Sequence, residues 1–593
     1  MTSDAPEPGS ESVPAPAPGP VTAWRLRPGV AVTLLRNGLH LRGRRGSVTL
    51  EGSTALPALW RLLEEPLRTG ESTELLRQAE AGSSVRKALD TLIAQLRAHD
   101  LIVEAPADPT PDWVAATAER PVEAASAIAA ARVQVLAGAV GGPLAEAAGR
   151  ALSQGGASVS YAAGRALPAG AVLLCAGEGE PRWAVAAGVC GDAGYVTAPG
   201  GPEQVRADAA ALAARLTPAA PPSPPSPPWS SAAFASLLAG SAAHRLLCAV
   251  GGLPDPASEG DDQRLLPGLP AVLVAGVRPL RADYHTWLGP DRLDADRRVA
   301  LDPARTLAEA LGRVSALGDE RTGVLPSPLP GDLRQLPVPL AACDLPDGTV
   351  LAGAPRLDLA RLDAFCRAAE ARLGGACRAV GATPSHAWGR ALRRSAARTT
   401  APAPGDTPLP SALWFGHPQA RHWWTALTVR QGVRARLEVF RVRPDEDAYH
   451  AVVHNAGQDV GQDLGQVLGR AVEATPGDAA AFAALSAVAA VSAAGEELTV
   501  RYPCGSDGSA AALATVDART AAWEDNGWTT GWLADVARRE PALHTALHRL
   551  TGLTGLTGPT GLRADETATQ DHELVALLRA FGFTVLTAEE GER

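Results

Sequence analysis

Lysine is almost missing from this chain of 593 residues: among 54 lysine and arginine side chains, Lys87 is the one lysine. A P-loop ends G-x-x-x-x-G-K-[ST] because the lysine ammonium must reach the phosphates. Lys87 stands in Val85-Arg86-Lys87-Ala88 with no glycine-rich loop before it, which excludes that chemistry. Pyridoxal and Schiff-base mechanisms lose their usual residue for the same reason. Cysteine is sparse too. The seven, at 175, 190, 248, 343, 366, 377 and 504, form no C-x-x-C pair, so a zinc knuckle has no support. The N-terminus, MTSDAPEPGSESVPAPAPGP, has neither the basic start nor the apolar core of a secretion signal. With an odd cysteine count, that predicts reduced thiols and a cytoplasmic location. No eighteen apolar residues run uninterrupted, so no membrane span is expected. A net charge of −10 argues against a general nucleic-acid coat. What is present, 46% hydrophobic and 20% charged residues, suits a core-forming chain of two to four domains. Collagen-like, coiled-coil and wholly disordered readings are excluded.

Residues 1–22, rich in Pro, Ala, Ser and Glu, read as a disordered tail. From Trp24 the texture changes. Ala31-Val-Thr-Leu-Leu35 and Leu39-His-Leu-Arg42 flank Asn37-Gly38, which predicts a hairpin whose turn residues take positive φ. Ser47-Val-Thr-Leu-Glu51 is a third strand. Helices are predicted over 53–67, 73–79 and 84–99, the last with Val85, Leu89, Leu92, Ile93 and Leu96 on one face. Three strands and three helices make a winged-helix-like domain at 23–106. Residues 107–131 fall in a loose Ala/Pro/Glu connector spanning 105–131. Beyond it, strands at 132–138, 157–161 and 171–175 alternate with helices at 143–154 and 205–216, suggesting a parallel, doubly wound sheet over 132–300. Residues 218–228 (PAAPPSPPSPP) are a proline-rich linker or loop, followed by a helix at 232–250 and a strand at 271–277. A larger α/β unit occupies 301–593. Its strands are predicted at 338–344, 434–442 and 451–456, and its helices at 357–373, 384–397, 464–474, 479–494 and 572–581. TGLTGLTGPTG at 551–561 reads as a surface loop.

Motifs able to carry chemistry are thin. Gly138-Ala-Val-Gly-Gly-Pro143 lies where a nucleotide loop would, but the next strand, Ser158-Val-Ser-Tyr161-Ala162-Ala163, ends without the acidic residue a ribose needs. A glycine turn kept for packing is the better reading. His544 and His548 share a helical face without a third ligand, and no H-E-x-x-H occurs. His417 and His422 lie among Trp414, Phe415, Trp423 and Trp424, an aromatic knot more in keeping with a core or interface. Gly505-Ser506-Asp507-Gly508-Ser509 lacks nucleophile-elbow spacing. One region invites binding. Between Trp24 and Leu50 there are six arginines (25, 27, 36, 42, 44 and 45) and no acidic residue. That is either a solvated basic hairpin or a place where an acidic peptide adds beside 47–51 as a strand. DNA is a weaker candidate, because the third helix, with Arg86, Lys87, Asp90 and Arg97, is only slightly basic.

Residues 24–104, above all LRPGVAVTLLRNGLHLRGRRGSVTLEG and the three helices after it, resemble the RiPP recognition element. This winged-helix module binds the leader of a ribosomally made precursor peptide. The resemblance implies strand addition between the third strand and third helix, with Val48, Thr49 and Leu50 on one side and Arg86, Asp90, Ile93 and Arg97 on the other. Residues 132–300, through Gly138–Pro143 and VLVAGVRPLRADYHTWLGPDR, resemble a reduced, Rossmann-like ThiF-like domain of the Ocin-ThiF type. Active relatives use an Arg/Lys/Asp set for adenylation and often a zinc cysteine tetrad, and neither set is found here. The C-terminal half resembles the YcaO superfamily at Arg313-Val-Ser, Arg321-Thr-Gly-Val324, Leu336-Pro-Val-Pro-Leu340 and Gly381-Ala-Thr-Pro-Ser-His-Ala387, with 452–474 as the counterpart in its second half. The glutamates that hold magnesium–ATP in active members align with Arg394 and Ala397, which implies a degenerate copy. The fold class expected is therefore α/β multidomain: winged-helix-like, then ThiF-like, then degenerate YcaO-like. The function implied is a non-catalytic leader-binding scaffold of an azoline-forming cyclodehydratase in thiopeptide-type biosynthesis. Its expected partners are the precursor leader and a YcaO cyclodehydratase that carries the ATP and magnesium, this chain binding no cofactor or metal itself. The resemblance also admits a flavin-dependent azoline dehydrogenase, and a homodimer is left open, whereas nucleic acid and membrane are not expected partners. The alternative is a ThiF-like enzyme that adenylates a peptide by itself.

Overall fold

The computed structural model describes residues 23–44, 46–80, 82–105, 110–138, 141–164, 166–177, 182–217, 228–258, 262, 264–290, 300–374, 377–400, 407–456, 466–494, 500–502, 505–515, 528–552 and 569–587. The tail 1–22, Arg45, the proline-rich 218–227 and most of the TGLTG run lie outside them. The chain is mixed α/β and divides into two compact units: residues 1–187, 199–205 and 228–259 form one, and 188–198, 206–227 and 260–593 the other.

The first unit begins β1 (Trp24–Leu26), β2 (Ala31–Leu35), β3 (Gly38–Gly43), β4 (Gly46–Glu51), α1 (Leu56–Thr69), α2 (Ser72–Gln78), α3 (Ser84–Ala98) and β5 (Ile102–Glu104). Strands β2, β3 and β4 form an antiparallel sheet in that order, and β1 pairs with β5. In β3, Leu39 and Leu41 point into a core with Trp60, Leu63, Leu67, Leu92 and Leu96, while His40 and Arg42 face outward. That is the period-two pattern of a half-buried strand. Ser83 caps α3 by accepting the Arg86 N–H at 3.2 Å, worth about 1 kcal/mol. The hairpin stands as expected, but its turn does not. Arg36 and Asn37 are the loop residues and neither takes positive φ. Gly38 lies in β3, where a Cβ would come 2.3 Å from the Leu50 carbonyl oxygen. The glycine serves close strand approach, not the turn.

The connector also departs from expectation. It folds into α4 (Asp112–Thr117) and α5 (Pro121–Ala130). Then come β6 (Arg132–Ala137), α6 (Pro143–Gln154), β7 (Ser158–Ala163), β8 (Ala171–Ala176), β9 (Trp183–Cys190), β10 (Ala193–Val196), α7 (Pro202–Leu216) and α8 (Pro228–Val250). β6 and β7 are parallel as predicted, but β8 runs antiparallel to β6, so the wholly parallel, doubly wound sheet is corrected to a mixed one. No crossover helix separates β7 from β8, and a short connection returns the chain antiparallel.

In the second unit β10 pairs antiparallel with β11 (Ala271–Val277), and β11 with β12 (Leu280–Thr286). Next follow α9 (Leu307–Leu317), β13 (Leu340–Leu345), β14 (Gly348–Gly353), α10 (Leu357–Leu373), β15 (Cys377–Gly381), α11 (Pro384–Thr399), α12 (Ala412–Phe415) and α13 (Pro418–Thr425). Then come β16 (Ala435–Arg441), β17 (Tyr449–Asn455), β18 (Val467–Glu473) and α14 (Pro476–Ala494). The helix predicted at 464–474 is in fact β18, paired with β17. Its tight packing explains why. At Gly469 a Cβ would sit 2.3 Å from the Ala483 carbonyl oxygen of α14. The alanine-rich α14 is long and apolar enough to cross a membrane by composition, as is residues 232–250 of α8, but 78% of its span is buried inside the protein.

Candidate functional site

In β4, Val48 and Leu50 pack toward the core shared with α3, and Thr49 faces outward, its hydroxyl 2.9 Å from His40 Nδ1. Backbone register shows which groups are open. Two-residue loops close β2–β3 at Leu35/Gly38 and β3–β4 at Gly43/Gly46, and Gly52 N–H donates to the Asn37 carbonyl. Antiparallel pairs alternate between bonded and unbonded positions. Gly46, Val48 and Leu50 therefore bond to β3, and Ser47, Thr49 and Glu51 turn their N–H and C=O groups away from it. β4 ends its sheet, and among the described residues no other backbone pairs with that outer row.

The helix side of the predicted groove is less available. Ile93 is only 6% exposed and belongs to the core, which corrects its assignment as a peptide-facing residue. Arg86 Nε donates to both Asp90 carboxylate oxygens at 3.0 Å, and its Nη1 donates to the Leu76 carbonyl. Arg97 stacks 4.5 Å above the Trp24 ring. Val85, which periodicity places on the apolar face, is exposed instead, as are Lys87, Thr91 and Gln95. The basic hairpin shrinks likewise. Arg27 is buried, bonding Asp100 and the Ala115 and Ala118 carbonyls, and Arg25 pairs with Asp112 at 3.2 Å. These two fasten the module to α4, while Arg36 and Arg42 remain exposed.

Elsewhere the motifs resolve into structure. α6 opens with Pro143, which has no N–H to offer a phosphate. His544 Nε2 donates to the Glu540 carboxylate, 2.9 Å away, and His548 packs on Trp388, so the two are not a ligand pair. His417 caps α13 and meets Trp532 edge-on. In the aromatic knot Trp414 and Trp423 are buried, but Phe415 is 47% exposed. Cys343 and Cys366 are buried free thiols pushed up by burial to about 12, far from a reactive thiolate.

The densest chemistry lies along α11. Arg390 binds Asp363 and Glu370 of α10, and Arg394 binds Glu370. Arg393, fully enclosed, donates to Glu473 at the end of β18 (2.8 and 2.9 Å) and to Glu540 (2.6 Å) on the long helix Trp528–Thr551. Burial pushes the Glu473 carboxyl up; it also raises Glu540, but there the Arg393 guanidinium and His544 together hold the carboxyl down. His386, on the same helix, is driven by burial down to about 4 and is neutral, its Nδ1 accepting the Ala382 N–H. These contacts join residues 80 and 147 positions apart, which no local motif can reveal. Each of these carboxylates already faces a fixed guanidinium. Magnesium needs carboxylate or phosphate oxygens at short range and is repelled by such cations, so the residues present do not fit a magnesium–nucleotide site. Among the described residues no three His, Cys, Asp or Glu side chains group to hold a metal ion.

No protein-family model matches the chain, and no curated protein matches it. Several solved structures are similar to the chain, and two of them cover nearly its whole length. One is a heterocyclase in complex with substrate and cofactor, with 13% identity, 97% of this chain and 95% of that chain covered, and a TM-score of 0.45. The other is the heterocyclase TruD, with 13% identity, 96% and 94% covered, and a TM-score of 0.41.

Proposed function

We propose that this chain is a leader-peptide-binding scaffold of an azoline-forming cyclodehydratase, capturing the precursor on β4 and presenting it to a separate ATP-dependent YcaO partner. The observation that carries the reading is the outward row of backbone groups at Ser47, Thr49 and Glu51, on a strand that ends its sheet. An added strand satisfies such groups and supplies affinity through main-chain bonds. The guanidinium groups already bound to Asp363, Glu370, Glu473 and Glu540 support a non-catalytic role, since they take the oxygens a metal would need. Tethering the leader makes delivery of the core peptide intramolecular, which raises apparent affinity by about 10²–10⁴ without new contacts.

A fluorescence-polarisation titration of the full chain with a fluorescein-labelled leader peptide tests the reading. Thr49→Pro removes one outward N–H while leaving the ladder to β3 intact. The expected result is at least about tenfold weaker binding at an unchanged melting temperature. Binding indifferent to this substitution refutes the site. Peptide-dependent ATP consumption by the purified chain alone refutes the non-catalytic role.

A further inference from the structure

A second strand margin lies in the other unit. β18 ends the sheet β16–β17–β18. Six consecutive residues of it, 467–472, line a cavity of about 400 Å³ whose opposite wall is the Arg393–Arg398 stretch of α11, with Ser506 and Asp507 also in the lining. At about 3.3 Å per residue, that margin is long enough for five or six residues of extended chain.

The backbone register again identifies the open groups. Leu409 N–H donates to the Val439 carbonyl, and Val442 N–H to the Ala448 carbonyl. Val439 therefore turns away from β17, and its partner Ala451 turns toward β18, where it faces Ala471. By alternation, Gly469 and Ala471 bond to β17, and Arg470 and Val472 turn N–H and C=O to the outer margin, where Arg470 is exposed and Val472 is buried. α14 covers one face of β18, and α11 and the helix 528–551 pack on Val472 from the other, so the margin beside Arg470 is the approach left open.

Charge then selects the occupant. Arg393, Arg394 and Arg367 are engaged with Glu473 and Glu540, with Glu370 and with Asp363. Arg398 and Arg470 are exposed and have no carboxylate partner among the described residues. Asp507, the one carboxylate in the lining, accepts from Ser509 N–H and Oγ. Phosphate oxygens would answer the two guanidiniums but only accept hydrogen bonds, leaving the Arg470 carbonyl without a donor. An extended peptide supplies both donors and acceptors, and acidic side chains answer the arginines.

We infer that β18 is a second peptide-binding margin, taking an extended acidic segment by strand addition against Arg398 and Arg470. This does not depend on the β4 reading. The test is hydrogen–deuterium exchange on the full chain with three acetylated hexapeptides, (Val-Glu)₃, (Val-Gln)₃ and (Val-Lys)₃, and with inorganic pyrophosphate. The expected result is slowed exchange at residues 467–472 with (Val-Glu)₃ alone. That protection is lost when alternate peptide nitrogens are methylated, and it needs at least about tenfold more peptide in Arg398→Glu/Arg470→Glu. It is unchanged in Thr49→Pro. Equal protection by (Val-Gln)₃, stronger protection by pyrophosphate, or none at 467–472 overturns the inference.

Discussion

Strands β4 and β18 are the same backbone device in different electrostatic settings. Each ends a three-stranded antiparallel sheet, and each shares its surroundings with an arginine-bearing helix, α3 or α11. On α3 the cations are self-satisfied: Arg86 faces Asp90 and Arg97 covers Trp24. On α11 the enclosed arginines are consumed by carboxylates, yet Arg398 at the helix end is not, and Arg470 joins it from the strand. Counting arginines therefore says little about what a margin recognises. The decisive quantity is how many of them lack an internal carboxylate. By that measure the proposed margin at β18 would read charge, and the one proposed at β4 would rest on main chain together with Arg36 and Arg42, the exposed arginines of its hairpin.

The sharpest way to break the comparison is to empty the buried α11 network. Arg393→Met leaves Glu473 enclosed without a cation and Glu540 with His544 alone, and the expected cost is about 3–5 kcal/mol in urea unfolding of the second unit. Replacing Arg393, Glu473 and Glu540 together by apolar residues should recover most of it, since a well-packed apolar trio escapes the desolvation penalty. Acidification should act next. His386 is held neutral with its pKa near 4, against 6.5 when free. As pH falls from about 6.5 to 4 the unfolded chain takes up a proton that the folded chain refuses, so stability declines. In His386→Gln the pH-dependent loss should flatten by about 1 kcal/mol per pH unit across that window. The smallest effect belongs to α3. Arg86→Gln breaks a partly exposed pair with Asp90 and should shift unfolding by about 1 kcal/mol or less. It should also leave leader binding at β4 within about twofold of the parent if main chain dominates recognition.

The N-terminal module was legible because its signals are local. Alternation in Leu39-His40-Leu41 and the spacing of Leu89, Leu92, Ile93 and Leu96 in α3 each fix an element without help from elsewhere. Where packing decided, the sequence misled. Val467, Leu468, Ala471 and Val472 carry helical spacing, and only the approach of α14 to Gly469 makes them a strand. In the connector, Pro111 and Pro121 stood at helix starts, a signal that the loose Ala/Pro/Glu composition obscured. The candidate sites divide similarly. Val48, Thr49 and Leu50 could be placed from the strand pattern, but the loss of Ile93 to the core and of Arg27 to α4 required the fold. The ring of acids around Arg393 draws on β18 and the long helix 528–551, so no window of sequence contains it.

The solitary ammonium on α3 has a practical corollary. Lys87 is exposed and next to Arg86, and no other side-chain amine exists anywhere in the protein. An amine-directed fluorophore, applied after the terminal amine has been capped near neutral pH, where it is the more reactive of the two, would tag a single spot on α3 without any mutation. The unmodified protein thus carries its own address for an optical reporter placed beside β4.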